Sequence, residues 1–370
     1  DEQLGIFGEV TFDLSDQFAI TGGVRWYDYE VDFEGSANGS FCNMSGEDRN
    51  SYGTDINDLY DGDGSFTWLG TCAPYDEKIT YTNDNLPDPD DPNFDRIVNS
   101  VNAPDNSEDD GFIGKGTLSW TPNDDQLWYF TWSEGYRPGL LNRPGGAVQA
   151  ANNYTVPFDV KSDDVTNYEL GWKLDLLDGL LRFNGSAFFV EIDGLQTTIF
   201  DTSIVNLFFS DNAADAEVKG VEGDLTWLAT DNLTVSGAFS YLDTEVTDVL
   251  IPTGDVIEGS ELAYAPEFQA TLSARYVWDI SPEFTGHVMP HMTYSDESYT
   301  DIIIINRDKM DSYTLVGISA GVSSANWMIE LFVDNLTDEE AALGGSYVYD
   351  RSRFAYARPL NGGVRFSYDF

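Results

Sequence analysis

Across most of this chain, segments in which apolar and polar residues alternate are joined by connections of two kinds that take strict turns. A tight connection is followed by a long one, and the pattern repeats to the end. Segments 3–13 and 18–33 flank Leu14-Ser15-Asp16-Gln17, and 112–120 and 127–136 flank residues 121–125. Segments 168–176 and 181–195 flank Leu177-Asp178-Gly179, and 218–228 and 233–246 flank residues 229–232. Segments 268–280 and 284–299 flank Ser281-Pro282-Glu283, and 313–322 and 327–336 flank residues 323–326, before a final segment over 361–370. The long connections are 34–108, 139–163, 200–213, 250–261, 300–310 and 337–360. Period-two alternation is the mark of a strand, and two such runs around a short polar turn make a hairpin. In an antiparallel meander, alternate connections fall on the same side. All the short turns therefore gather at one rim and all the long loops at the other. A soluble sandwich has no reason to segregate loop lengths in this way; a transmembrane barrel does.

The faces of the segments agree. In the last ten residues Val364, Phe366, Tyr368 and Phe370 alternate with Gly363, Arg365, Ser367 and Asp369. Leu170, Trp172 and Leu174 oppose Glu169, Lys173 and Asp175; Leu225 and Trp227 oppose Glu222, Asp224 and Thr226; Leu272, Tyr276 and Trp278 oppose Gln269, Ser273 and Arg275. Charge facing lipid costs about 2–4 kcal/mol at mid-bilayer, so the charged set is assigned to the lumen, with Glu330, Asp334, Arg365 and Asp369. Most segments exceed the usual globular strand of about 5–6 residues and reach the 9–11 or so that a tilted crossing needs. The expected fold is all-β: a transmembrane antiparallel up-and-down β-barrel contributing about 13 strands, with short periplasmic turns and long outer loops. Bacterial single-chain barrels have even counts, so the odd count here predicts an odd number of further strands upstream. The chain opens in a strand with no signal peptide, as expected of a mature, truncated or cleaved sequence.

Composition sets the remaining bounds. Of 370 residues, 41% are hydrophobic and no apolar run approaches the length of a membrane helix. The 65 acidic residues against 18 basic ones give a formal net charge of −47, which excludes nucleic acid as a partner because phosphate contacts need a basic surface. The acidity reads first as a solvated, repulsive surface and second as Ca2+ binding in the outer loops. Asp61-Gly62-Asp63-Gly64-Ser65 has oxygen ligands but lacks the Gly at position six and the late Glu of an EF-hand. Cys42 and Cys72 both fall in the 34–108 connection; in an oxidising compartment they are expected to pair, closing a loop of about 30 residues worth roughly 3–4 kcal/mol. A connection of that length is expected to be a folded extracellular loop, given its aromatics Phe41, Tyr52, Tyr60, Phe66, Trp68, Tyr75 and Tyr81.

Six stretches carry a resemblance to a known family: FGEVTFDLSDQFAITGGVRW (7–26), SEGYRPGLLNRPG (133–145), NYELGWKLDLLDGLLRFNGSAFF (167–189), VKGVEGDLTWLATDNLTVSGAFSY (218–241), VDNLTDEEA (333–341) and RPLNGGVRFSYDF (358–370). In this order and spacing the chain resembles the C-terminal part of a TonB-dependent outer-membrane receptor. The resemblance implies a barrel of about 22 strands. It implies a receptor for scarce nutrients, often ferric siderophores, in the outer membrane of a Gram-negative bacterium. The implied partners are the TonB energy-transducing complex acting through a plug domain that this chain does not contain, outer-membrane lipid and lipopolysaccharide, the barrel-assembly machinery and a small-molecule ligand. Residues 1–370 would form part of one barrel domain, with the aromatic terminus Phe370 as the assembly signal. The chain departs from the family at Lys161-Ser162-Asp163-Asp164, where a Pro-Glu pair is frequent.

Ligand-binding candidates cluster where a strand leaves the bilayer. Tyr136, Arg137, Asn142 and Arg143 are placed to hold an anionic or catecholate ligand, with arginine supplying paired donors. The alternative is a rim turn pinned by Pro138 and Gly139. His287 and His291 share a face of one strand, about 13 Å apart, and are expected to be lumen polar residues rather than ligands of one ion. No Gly-x-Ser-x-Gly elbow, P-loop or His-Glu-x-x-His occurs, so no enzyme is expected, and no resident cofactor. The competing function is a passive or structural outer-membrane barrel assembled with a partner chain.

Overall fold

The apolar-alternating segments are rich in Val, Ile, Thr and aromatic residues, which suit a pleated surface, and they stop at Asn, Asp, Ser and Gly. A computed structural model of the chain describes residues 2–32, 65–68, 79–91, 94, 98, 101, 106–142, 148–149, 151–201, 203–204, 208–347 and 351–369. Thirteen strands form one antiparallel sheet in strict sequence order. They are β1 (Glu2–Asp13), β2 (Phe18–Asp32), β3 (Asn106–Asn123), β4 (Gln126–Arg137), β5 (Asp163–Leu176), β6 (Leu181–Ile199) and β7 (Phe209–Thr230). They continue with β8 (Leu233–Val249), β9 (Phe268–Ser281), β10 (Phe284–Ser295), β11 (Tyr313–Ser323), β12 (Trp327–Asp334) and β13 (Asn361–Tyr368). The meander, the strand count and the split into a turn rim and a loop rim match the expectation.

Register keeps each face continuous across the sheet. Val277, His287, Gly321, Glu330 and Arg365 pair directly from strand to strand and so share the charged face. The opposite face is apolar and open: Leu170 is 49% exposed, Leu272 46% and Phe366 64%. Rows of this kind are far too large for a surface meant for water. At the turn rim, Leu177 and Asp178 both adopt positive φ (54° and 57°) ahead of Gly179 at 82°, the left-handed backbone that a tight hairpin with right-handed twist demands.

Two features were not anticipated. Several strands run past the alternating pattern. β7 begins at Phe209, although 209–217 lacks strict alternation, because it is paired with β6 on one side and β8 on the other. The long connections also hold structure of their own. Leu140–Leu141 pairs with Asp159–Val160, Val148–Gln149 with Tyr154–Thr155, Ser298–Tyr299 with Lys309–Met310, and Ala342–Tyr347 with Ser352–Tyr356. Over the loop rim, Val156, Ile199, Phe209, Val246, Ile251 and Ile303 lie in one buried apolar cluster. The buried core thus gathers among the loops, and the sheet below holds its form by ladder hydrogen bonds. Among the described residues, no helix is long and apolar enough to cross a membrane.

Candidate functional site

The candidate residues Tyr136, Arg137 and Asn142 come together where β4 ends at the loop rim; Arg143 lies outside the described residues, as do Cys42, Cys72, Phe370 and the Asp61–Asp63 tract. Arg137 is directly opposite Asp163 on β5. Its Nε donates to Asp163 Oδ2 at 3.0 Å, its Nη2 donates to the same oxygen, and its backbone N–H donates to Oδ1 at 3.1 Å. Nη2 also donates to the Gln196 carbonyl at 2.7 Å. Gln196, itself buried, returns the link: its Nε2 donates to the carbonyls of Arg137, Pro138 and Lys161 at 3.2, 3.0 and 2.9 Å. The Asp163 side chain is 4% exposed, but the Arg137 side chain is 52% exposed, so one side of the guanidinium stays open.

Asn142 is buried and fully occupied. Its Nδ2 donates to the Pro157 and Ser210 carbonyls at 2.8 and 2.6 Å, and its Oδ1 accepts from Ser210 N at 2.8 Å. Tyr136 stacks on Tyr27 with ring centroids 3.7 Å apart and lies beside Tyr29 at 6.2 Å; its hydroxyl accepts from Gln3 Nε2 at 2.8 Å. The Tyr29 hydroxyl accepts from Gly139 N at 2.7 Å. A Cβ on Gly139 would collide with the Val160 carbonyl, so only glycine allows the two loop arms to meet. The rim turn is therefore pinned by Arg137 and Asn142 as well as by Pro138 and Gly139.

Around this knot the surface is acidic and hydroxylated. Ser107 Oγ donates to Asp159 at 2.5 Å, Ser162 Oγ to Asp109 at 2.7 Å, and Lys161 Nζ pairs with Asp159 at 2.6 Å. The hydrogen bond it donates to Asp159 holds the Lys161 pKa above its ordinary value. An anionic group would meet the open side of the Arg137 guanidinium. Asp163, Gln196, Tyr27, Tyr29 and Gln3 were not among the sequence candidates. Only the Lys161–Asp164 tract, already conspicuous as a departure, pointed toward any of them.

On the charged face near the turn rim, His287 Nε2 and Glu330 Oε2 lie 2.9 Å apart, and the Arg365 guanidinium donates to Glu330 Oε1. His291 faces Asp334 at 3.7 Å. Each histidine thus has its own carboxylate, in keeping with two separate polar residues. Among the described residues, no group of three or more His, Cys, Asp or Glu side chains is placed to hold a metal ion.

The family model described as "TonB dependent receptor-like, beta-barrel" matches residues 1–336. Among curated proteins, a probable TonB-dependent siderophore receptor of Acinetobacter baumannii is 24% identical over 234 residues, which are 60% of this chain and 29% of that protein. The ferrichrome outer membrane transporter/phage receptor of Escherichia coli K12 is 25% identical over 241 residues, 64% of this chain and 29% of that protein. Among solved structures, the ferric yersiniabactin uptake receptor of Yersinia pestis superposes with a TM-score of 0.66 at 17% identity. That match covers 100% of this chain and 45% of the receptor, so the chain spans under half its length.

Proposed function

Because the chain belongs to the TonB dependent receptor-like β-barrel family, an outer-membrane family of transporters rather than enzymes, we propose that it is the C-terminal part of a receptor for active uptake of a scarce nutrient. The ligand class we favour is a ferric siderophore or a similar metal complex. The observation that carries the reading is the segregated architecture: a long-stranded sheet with an open apolar face, tight turns at one rim and folded, mutually packed loops at the other. The loop rim is then outermost and 34–108 is its largest loop. The apolar face meets lipid and the charged face lines the lumen.

Tyr136, Arg137 and Arg143 are the proposed contacts for an anionic or catecholate ligand. Asn142 holds their loop rather than the ligand. Two relatives, a probable siderophore receptor and a ferrichrome transporter, support the ligand class. Transport rests on a plug domain and on TonB, both outside this chain.

The test is uptake of labelled ferric siderophores by cells carrying the intact protein, with and without TonB. Accumulation that disappears without TonB is the expected result, and accumulation that persists sinks the proposal. Steady ion conductance in planar bilayers would instead identify a passive barrel.

A further inference from the structure

The packed loops contain an electrostatic anomaly that the uptake reading does not use. Asp201, in the connection after β6, is 5% exposed, and Asp255, in the connection after β8, is 8% exposed. The two carboxylates face each other within hydrogen-bonding reach. Asp201 Oδ1 accepts from Ser203 N at 2.8 Å and Oδ2 from Ser203 Oγ at 2.9 Å. Asp255 Oδ2 is fully buried and has no hydrogen-bond partner. Asn306, in the connection after β10, is 3% exposed; its Nδ2 donates to the Phe200 carbonyl at 3.2 Å, next to Asp201, while its Oδ1 is buried without a partner. The Asp255 backbone is tied to the same arm, its carbonyl accepting from Ile304 N at 2.8 Å.

Among the described residues no cation faces this pair. Neither carboxylate takes part in an ion pair there, although Lys161, Lys219, Arg307 and Lys309 all find acidic partners elsewhere near the loop rim. Burial, and then the facing Asp201, push the Asp255 carboxyl above its ordinary range. Two like charges held together out of water call for a shared counter-charge. The free groups are oxygens only: carboxylate and carboxamide, with the Thr253 hydroxyl beside Asp255 N at 3.4 Å. A hard cation with irregular geometry suits that donor set; soft or imidazole-seeking metals do not.

We propose that Asp201 and Asp255, with the Asn306 carboxamide oxygen, bind Ca2+ and so tie three successive loops into one unit. Two carboxylates and a carboxamide make a modest site, filled out by water. The affinity expected is that of extracellular calcium modules, about 10⁻⁴–10⁻³ M. The site is separate from the EF-hand-like tract at Asp61–Ser65. It needs neither the nutrient nor TonB, so its failure and that of the uptake reading are distinguishable.

The test is hydrogen exchange on the intact protein in detergent, stripped with chelator and titrated with Ca2+. Amides in 199–204, 251–256 and 302–306 should slow by roughly tenfold or more, half-maximally near 0.1–1 mM. Asp255→Asn should abolish the dependence on Ca2+ without speeding exchange in its absence. Tb3+ gives a second readout, because Tyr154 shares the buried cluster with Ile251, Val256 and Ile303 and can sensitise its emission. That emission should fall in Asp255→Asn and Asp201→Asn and persist in Asp178→Asn at the turn rim. Exchange indifferent to Ca2+ in the unaltered protein overturns the proposal. So does protection that arrives only on acidification, which would mean the pair shares a proton. An equal Ca2+ effect in the variants would place the cation elsewhere and overturn it as well.

Discussion

Asn142 satisfies three separate backbone groups from inside a loop, and that makes it the most demanding residue at the rim. Both protons of its carboxamide and its oxygen are spent on Pro157 and Ser210, so it stitches the 138–160 arm to the start of β7. Removing it leaves two half-buried carbonyls and one half-buried N–H unpaired. Orphans of this kind cost about 1–3 kcal/mol each, with partial relief by water. Asn142→Ala should therefore lower the local stability of residues 138–160 and 208–212 by about 2–4 kcal/mol. Amide exchange in those segments should accelerate by at least about tenfold, with the exchange of β9–β12 unchanged. Asn142→Asp should be no better, since it keeps the acceptor for Ser210 N but loses both donors. The sequence marked Tyr136, Arg137 and Asn142 because polar donors clustered at a strand exit. Beyond the departure at Lys161–Asp164 it held no sign that Asp163 and, further along, Gln196 would occupy the guanidinium. A donor is visible in a sequence, but the buried acceptor that claims it is a property of the fold.

Strands were the legible elements, and the reason is periodicity. Where one face meets charge and the other lipid, every second residue is constrained, and Leu170/Glu169 or Leu272/Ser273 announce the register directly. The loop-side ends were not legible, because outside the bilayer neither face has to be apolar; 209–217 is strand by pairing alone. Two substitutions test the face assignment. Leu272→Arg, midway along β9 on the open apolar face, should cost about 2–4 kcal/mol in denaturant-induced unfolding from lipid vesicles. Ser273→Arg, one residue away on the charged face, should cost well under half of that. Equal costs would mean the sheet is not oriented by lipid. A third change tests cross-strand packing. Gly171 on β5 lies opposite Tyr129 on β4, whose ring sits where a Cβ would be and whose hydroxyl donates to Glu169 at 2.6 Å. Gly171→Ala must push that ring away and should destabilise the β4–β5 pair by about 1–3 kcal/mol. The same assay reads it, and Tyr129→Ala in the same background should recover part of the loss.

At the scale of the whole molecule the outstanding question is closure. Among the described residues β1 pairs in the sheet with β2 alone and β13 with β12 alone. Each therefore presents a row of N–H and C=O groups without a ladder partner among the described residues. In water such an edge is an aggregation risk; in hydrocarbon each unpaired group costs several kcal/mol, so a sheet crossing a bilayer has to close. Leu4, Ile6, Val10 and Phe12 fall at alternate positions of β1, as do Val364 and Phe366 in β13, so both edge strands continue the apolar face of the sheet and both belong in the membrane. Closure then comes either from further strands between the two edges or from a direct β1–β13 pair. Amides of β1 that point away from β2 should exchange as slowly, in the intact membrane-inserted protein, as those that point toward it. The two closures separate by cross-linking. With a cysteine at residue 364 and single cysteines scanned along β1, a disulfide at any position means that thirteen strands close on themselves, whereas none at any position alongside full protection means that intervening strands complete a wider barrel. The matched receptor is more than twice the length of this chain, which favours the wider barrel, and a wider barrel is what the proposed uptake through a plugged lumen would need.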